Sequence, residues 1–330
     1  MSMRRFGGLL LAAFAFAALP ALAEPPARSP AGRVAAEEAV FPPWQNGTNN
    51  DAPNKGLVFT VPPVDTMVDF HGSVTDTALV IYASGNNFFA YKQLVDLFGD
   101  KHPEWRGRIF YETLPPGLLL KQLRNGGTVT SGNLTFTAKP DIMMAEKTAS
   151  ENWVKQNFLV DPVVSFATND LTIMVRAGNP DRIRGLADLG KPRIVLAMPN
   201  PAFEGVAGQI KAALRKAGGD ALANAVYERK VDEGTTILTR IHHRQTPLWL
   251  MQDRVRAGVT WRSEALFQEQ AGHPIAHVDI PPEQNVIATY SAAMAANAPH
   301  PYVAKAWLDF IKSDEAFAVL QPYGFKRYAP

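Results

Sequence analysis

Residues 234–261 read GTTILTRIHHRQTPLWLMQDRVRAGVTW, and the rest of the predicted fold is arranged around them. Thr246 followed by Pro247 predicts the start of a helix, because a threonine oxygen accepts from an unpaired backbone N–H and proline is tolerated at the first helical position. Apolar side chains then recur at helical spacing over residues 248–255. Residues 259–261 favour a buried strand. The stretch therefore predicts a short amphipathic helix followed by a strand.

Basic or potentially basic side chains crowd the start of this helix: His242, His243 and Arg244 come before Gln245 and Thr246. The first turn of a helix already carries partial positive charge, so cations there are unfavourable unless something negative neutralises them. Backbone N–H groups and a guanidinium that can form a bidentate pair together predict an anion-binding site. The alternative is that Arg244 pairs with a carboxylate from another loop and that the histidines are packed or solvated.

The first 23 residues have the features of a secretory signal peptide. Arg4 and Arg5 form a basic head, residues 6–19 form an apolar run, and residues 21–23 form a small-x-small cleavage site. No later apolar run approaches the roughly 18 residues that a membrane-spanning helix needs. The chain contains no cysteine. We therefore expect a periplasmic protein that is not embedded in a membrane.

The charge balance narrows the choice of partner. The whole chain has 33 basic and 31 acidic side chains, and removal of the signal peptide removes two arginines, which leaves equal numbers. Such a balance argues against nucleic acid or an anionic membrane surface as the partner.

An extended arm is predicted for residues 24–75, which are rich in proline, asparagine and glycine. Strand–loop–helix units follow it. The first has an apolar run before a loop with Ser84 and Asn86, and the second has a loop from Thr113 to Gly117. In parallel sheets ligands bind beyond the carboxyl ends of the strands, so both loops are candidates for ligand contact. The alternative for Ser84 and Asn86 is an ordinary capped turn.

A later helix, predicted over residues 202–217 and ended by Gly218 and Gly219, offers a second N-terminal end for an anion. Glu204 lies in its first turn and would repel an anion there. The helix start at Thr246 is therefore the preferred site.

Several weak motifs occur in an order that resembles one family. They are Asn179-Pro180, Leu186-Ala187-Asp188-Leu189, Asn200-Pro201 with Gly205, residues 257–261, and a closing helix at residues 304–313 followed by Tyr323-Gly324-Phe325. The chain thus resembles the type II periplasmic solute-binding proteins of ABC transporters, in particular the molybdate, tungstate and sulfate binders and the PEB3-like anion binders.

The resemblance implies an α/β fold with two lobes, each a mixed sheet flanked by helices, joined by two hinge crossings. Lobe 1 would take residues 76–168 and 289–330, and lobe 2 would take residues 169–288. A ligand would be held between the lobes by hydroxyl and backbone N–H groups.

The resemblance also implies roles for particular residues. Ser84 takes the place of the family's first-loop serine, and Tyr290 takes the place of its binding tyrosine. With the candidates from the loops above, the expected ligand-binding set is Ser84, Asn86, Thr113, Gly117, His243, Arg244, Gln245, Thr246 and Tyr290. The molybdate binders usually have an uncharged site, whereas this chain places Arg244 there. The sequence therefore does not distinguish between a metal oxyanion and a phosphate, phosphonate or carboxylate as the ligand.

We expect a protein that captures a small anion for an inner-membrane ABC permease. An enzyme is disfavoured because the chain has no Gly-x-Ser-x-Gly, no His-Glu-x-x-His and no phosphate-binding loop. No cofactor is expected, and no metal site, because adjacent histidines on a strand would point to opposite faces and would not form a pair of ligands without a third group. The alternative class is a periplasmic partner or sensor module with the same fold, for which the arm would supply a contact.

Overall fold

The computed structural model describes residues 70–131, 134–202, 204–239 and 242–329. The predicted signal peptide and residues 24–69 of the predicted arm lie outside the described residues. The strands are β1 (Phe70–His71), β2 (Leu79–Ser84), β3 (Ile109–Leu114), β4 (Thr128–Ser131), β5 (Leu134–Thr137), β6 (Ile142–Glu146), β7 (Leu159–Arg176), β8 (Leu196–Met198), β9 (Thr236–Leu238), β10 (Ala257–Trp261), β11 (Ile275–Asp279), β12 (Ile287–Ala295) and β13 (Lys326–Arg327).

The α-helices are α1 (Phe88–Lys101), α2 (Pro116–Arg124), α3 (Lys147–Lys155), α4 (Val206–Asn224), α5 (Lys230–Asp232), α6 (Gln245–Met251), α7 (Arg262–Gln270), α8 (Pro301–Phe310) and α9 (Asp314–Leu320). A π-helical turn, Ala225–Arg229, joins α4 to α5. Over the residues that the structure describes, no helix combines the length and the apolar character that a bilayer crossing requires.

Eleven strands form one sheet with two halves, and β4 and β5 form a separate hairpin. The first half has the strand order β1-β3-β2-β6-β12-β7, and the second half continues from β7 through β10 and β8 to β9. Both halves are mixed. In the first, β2 is parallel to β3 and β6, whereas β12 is antiparallel to β6. In the second, β8 is parallel to β9 and β10, whereas β10 is antiparallel to β7. The predicted α/β class with mixed sheets is confirmed.

The two halves share strand β7. Its residues 159–170 pair with β12, and its residues 171–175 pair with β10. Residues 170–175 have the apolar pattern of a buried strand, whereas Pro162 and its exposed neighbours interrupt that pattern in the earlier part of β7. The lobe boundaries near residues 168 and 288 stay a prediction.

The predicted arm ends in the sheet. Phe70 and His71 pair antiparallel with β3, so the first described residues of the predicted arm form an edge strand of the first half.

Two helices begin at residues other than those predicted. α6 begins at Gln245, so Thr246 lies inside its first turn and does not cap it. The reason is that the N–H groups of Gln245 and Thr246 already bond to the carbonyls of His242 and His243, both at 2.9 Å. α4 begins at Val206 rather than at residue 202.

Helix α6 packs directly on the centre of the second half. All five residues of β10 are buried, and Thr246 is fully buried against this strand. A Cβ on Gly258 would lie 2.5 Å from Thr246 Cγ2 and 2.6 Å from the carbonyl oxygen of Ala197. The missing side chain at Gly258 therefore sets how closely the helix approaches the strand.

The substitution Gly258→Ala is expected to lower the free energy of unfolding by about 1–3 kcal/mol, because the added methyl overpacks against fixed backbone. Urea unfolding measures the loss. The matched control is Gly208→Ala, on an exposed face of α4 with no atom within 4 Å of the added Cβ. That variant should be as stable as the parent or gain up to about 1 kcal/mol from helix propensity. Equal stability of the Gly258→Ala variant and the parent would show that the close contact is not a constraint.

Candidate ligand-binding cleft

A cavity of about 300 Å³ lies where loops from both halves of the sheet meet. The first half contributes the segments that follow β2, β3 and β6, together with Ala288 and Tyr290 of β12. The second half contributes the loops after β8 and β9 and the last residue of β10, Trp261. The lining residues are Ser84, Gly85, Asn86, Pro115, Pro116, Gly117, Glu146, Ala149, Glu204, Gly205, Val206, Gln209, His242, His243, Trp261, Ala288 and Tyr290. Open α/β sheets bind ligands beyond the carboxyl ends of their strands, so this cavity is the candidate site.

Two helices begin at the cavity wall, one from each half. α2 presents Gly117 in its first turn, and α4 presents Gly205 and Val206 at its start. Within the described part of the chain, no protein acceptor is bonded to the N–H groups of these three residues. First-turn N–H groups lack partners inside their own helix and carry the positive end of the helix dipole. One helix start from each half of the sheet therefore lines the cavity, and each of them favours a negative charge there.

Neutral polar side chains complete the wall on the first half. The amide of Asn86 donates to the hydroxyl oxygen of Tyr290. Burial raises the pKa of Tyr290 well above its usual range, so its hydroxyl keeps its proton. Ser84 donates to the carbonyl of Met144 at 3.0 Å. The Tyr290 hydroxyl therefore has a proton that it can donate to a ligand, and the Asn86 amide holds the hydroxyl oxygen in place.

The structure places the nine predicted site residues in two groups. Those that line the cavity are Ser84, Asn86, Gly117, His243 and Tyr290. Those that are buried without lining it are Thr113, Arg244, Gln245 and Thr246. Ligand contact by any of them stays a prediction.

Arg244 connects the two halves of the sheet. Its guanidinium donates from Nε to the carbonyl of Gly85 at 3.2 Å and from Nη2 to the carbonyls of Gly85 and Thr113, the latter at 3.3 Å. It also lies 4.1 Å from the centre of the Phe88 ring. These partners belong to the first half, whereas Arg244 precedes α6 in the second. The guanidinium thus contacts backbone carbonyls and an aromatic ring of the first half, and Arg244 is not among the residues that line the cavity.

His243 is held between two buried glutamates. Its Nδ1 lies 2.6 Å from Glu204 Oε2, and its Nε2 lies 3.0 Å from Glu264 Oε1. Burial by itself lowers the pKa of His243, but the charge of Glu264 and the hydrogen bonds and charge of Glu204 outweigh it and raise the pKa to about 9. His243 is therefore an imidazolium at neutral pH whose positive charge is already matched by carboxylates.

His242 lies beside His243 in a turn. The ring centres are 3.8 Å apart, so the expectation that these neighbours point to opposite faces is wrong. The reason is that residues 242–244 turn into α6 and do not continue the strand. Burial lowers the pKa of His242 well below its usual range, and the charges of His243 and Arg244 add to this effect. His242 is therefore a neutral imidazole, and with Glu204 and His243 it could hold a metal ion.

The lining residues that were not predicted as contacts include the large polar or aromatic side chains Glu146, Glu204, His242 and Trp261. Glu204 was set aside as repulsive to an anion, yet its carboxylate accepts from the backbone N–H of His243 at 2.7 Å. Glu146 accepts from two backbone N–H groups in the first turn of α3. All four lie at or shortly after the end of a strand, so the rule that selected Ser84 would also have found them.

Comparison with known proteins gives the family. The family described as bacterial extracellular solute-binding protein matches residues 79–326. The chain belongs to this family. The prediction of a type II solute-binding protein is thereby confirmed.

Two further comparisons agree with the family and the fold. This solute-binding protein is 24% identical over 213 residues to the molybdate-binding protein ModA of Mycobacterium tuberculosis, a match that covers 64% of this chain and 75% of ModA. It is similar in fold to the sulfate-binding protein SubI of Mycobacterium tuberculosis, with a TM-score of 0.62, 20% identity, and coverage of 77% and 88% of the two chains. The periplasmic molybdate-binding protein of Azotobacter vinelandii has a TM-score of 0.58 at 15% identity, with coverage of 76% of this chain and 99% of that protein.

The free energy of unfolding is expected to fall as the pH rises from 6.5 through about 9. The pKa of His243 is raised from 6.5 to about 9 on folding, so its stabilising effect is complete below pH 6.5 and is lost as the pH passes the folded value. A shift of this size corresponds to about 3 kcal/mol. Urea unfolding at several pH values measures the slope.

The variant His243→Gln should flatten this slope, since it removes the titrating group. The matched control is His277→Gln, which changes a histidine that also lies between two carboxylates, Glu269 and Asp279, but is partly exposed. A parent protein with constant stability over this pH range would contradict the assignment of His243 as a buried cation.

Proposed function

We propose that this solute-binding protein captures a small oxyanion in the cleft between the two halves of its sheet and delivers it to an inner-membrane ABC permease. The ligand class includes molybdate, tungstate, sulfate, phosphate, phosphonates and small carboxylates. The observation that carries the proposal is the pair of helix starts that face one cavity from opposite halves. The relatives named above, whose names include molybdate and sulfate binding, support it.

Recognition rests on neutral donors. The N–H groups of Gly117, Gly205 and Val206 approach from two sides, and the hydroxyl of Tyr290 approaches from β12. Such donors stabilise a negative charge without a full positive charge on the protein, because the helix dipoles add to their hydrogen bonds. This arrangement suits an ion with oxygens on several sides, each of which needs its own donor.

Closure of the cleft is coupled to capture. The ligand needs donors from both halves, so it binds the closed arrangement better and shifts the protein toward it. Arg244 supports the same arrangement, because its guanidinium reaches the carbonyls of Gly85 and Thr113 only when the halves are together. In the proposal, Arg244 thus contributes to closure, and Thr113, Gln245 and Thr246 support the wall from behind.

The proposal places the protein in the periplasm and includes no catalysed reaction. The family is extracellular by description, and the named relatives are binding proteins. The alternative, a partner or sensor module of the same fold, predicts that none of these anions binds.

Isothermal titration calorimetry against molybdate, tungstate, sulfate, phosphate, a phosphonate and citrate tests the ligand class. At least one anion should bind and raise the melting temperature, because a ligand at a hundred times its Kd adds about 2.7 kcal/mol of stability. If no anion in the panel gives heat or a thermal shift, the anion-capture proposal fails and the partner-module alternative gains support.

The variant Tyr290→Phe is expected to weaken binding of that anion by roughly 10- to 100-fold, because a hydrogen bond to a charged group contributes about 1.5–3 kcal/mol. The ring and its packing against Phe325 are kept. The matched control is Tyr302→Phe, at a tyrosine that is 79% exposed on α8. Equal affinity of the Tyr290→Phe variant and the parent would remove this hydroxyl from the site.

A further inference from the structure

A second kind of ligand chemistry lies in the wall of the second half. Glu204, His242 and His243 each offer one metal-ligating atom, and these atoms all lie within 4.8 Å of one another. All three residues are at most 5% exposed, and all three line the cavity. They come from two loops, after β8 and after β9.

The donor set suits a borderline divalent cation. One carboxylate and two imidazoles are the ligands that Zn²⁺ takes in sites that keep a further position open, and Co²⁺ and Ni²⁺ accept the same atoms. The His242 ring lies against that of His243, with ring centres 3.8 Å apart, and its Nδ1 accepts from the backbone N–H of Arg244 at 3.2 Å.

The side chains around the cluster hold its ligands in place. The backbone N–H of Asn200 donates to Glu204 Oε1 at 3.1 Å, and the hydroxyl of Thr239 donates to the same oxygen. Glu264 lies behind His243, 3.0 Å from Nε2, so Nδ1 is the nitrogen that faces Glu204. A carboxylate behind a ligating histidine, with the metal ion on the other nitrogen, is the usual support of such a ligand.

A metal ion would take the place of a proton. Without a metal ion, His243 Nδ1 lies 2.6 Å from Glu204 Oε2, so a protonated Nδ1 donates to this carboxylate. Metal–ligand bonds of about 2.0–2.2 Å require these two atoms to separate to roughly 3 Å. The proton leaves to solvent when the ion binds, so the exchange is balanced without any redox step.

The carboxylates at the cavity indicate what a bound metal ion would do. The acidic residues Glu146 and Glu204 both line it, Glu264 lies just behind it, and the positive charge of His243 is matched by its two glutamates. An anion bound alone would meet these carboxylates. A divalent cation at the wall would neutralise them and offer its open coordination position to an oxygen of the anion.

We propose that Glu204, His242 and His243 bind a divalent transition-metal ion and that the captured anion completes its coordination. The metal site stands on the cluster alone, whereas the coupling to the anion rests on the proposed function.

The purified full chain, stripped of metal with a chelator, is titrated with ZnCl₂ by calorimetry and with CoCl₂ by visible absorption. We expect one ion per chain and a Co²⁺ absorption band typical of low coordination number. Loss of one of the three protein ligands in His242→Ala should weaken binding by at least the roughly 10- to 100-fold that loss of a group supporting a ligand costs. X-ray absorption of the Zn²⁺ form should give a first shell of nitrogen and oxygen.

The matched control is His277→Ala, which removes a histidine with two carboxylate neighbours outside the cavity. It should keep the parent's affinity for Zn²⁺. Circular dichroism and thermal unfolding check that His242→Ala is folded. If the His242→Ala variant is destabilised, His242→Gln is used in its place. Absence of Zn²⁺ and Co²⁺ binding, or binding that is lost in His277→Ala and kept in His242→Ala, would overturn the proposal.

Each anion named under the proposed function is then titrated into the protein twice. The first titration uses metal-free protein in the presence of a chelator, and the second uses protein with one equivalent of Zn²⁺ and no chelator. Tighter anion binding with Zn²⁺ supports the coupling, and equal affinity overturns it. Anion binding without any metal binding leaves the proposed function standing and removes the metal site. Metal binding without anion binding supports the site and contradicts anion capture.

Discussion

The contact of His243 with Glu204 and Glu264 is the interaction on which the rest of the cleft depends. One imidazolium joins the loop before α4 to the start of α7, at 2.6 and 3.0 Å, and its own backbone N–H bonds to Glu204. Removing one partner of such a buried set leaves an uncompensated charge, which costs several kcal/mol, so the loop is held firmly. The turn that carries His242 and Arg244 is thereby fixed in the wall.

Two consequences follow from this fixed turn. On one side, the guanidinium of Arg244 reaches across to carbonyls of the first half, next to the cavity that the helix starts of α2 and α4 both line. On the other side, His242 comes to lie against His243 near Glu204, which gathers ligand atoms where sequence spacing alone suggests none. The cleft thus combines neutral anion donors with a carboxylate–imidazole cluster, and a ligand that includes both an anion and a cation satisfies both.

The sequence predicted the α/β class and the loops at the strand ends, because apolar runs and turn residues are local signals. The mixed sheets were predicted only through the family resemblance. The sequence did not predict the direction of the Arg244 guanidinium, which depends on carbonyls 131 and 159 residues away in the chain. It also treated Glu204 as a repulsive charge, since its partner His243 lies 39 residues further on. The prediction that Thr246 caps α6 was wrong for a similar reason. A threonine before proline is a local capping signal, but the methyl group of Thr246 packs against Gly258 in the core, which is a contact between residues distant in sequence.

The central claim is that donors from both halves of the sheet hold one anion. Two-dimensional ¹⁵N NMR of the full chain, titrated with the anion that binds most tightly, tests it most directly through the amide signals of Gly117, Gly205 and Val206. The account predicts that all three signals shift with the same Kd, while the amide of Gly178, in a turn beyond β7, does not respond. Binding that shifts the amides of one half alone, or none of the three, would contradict it.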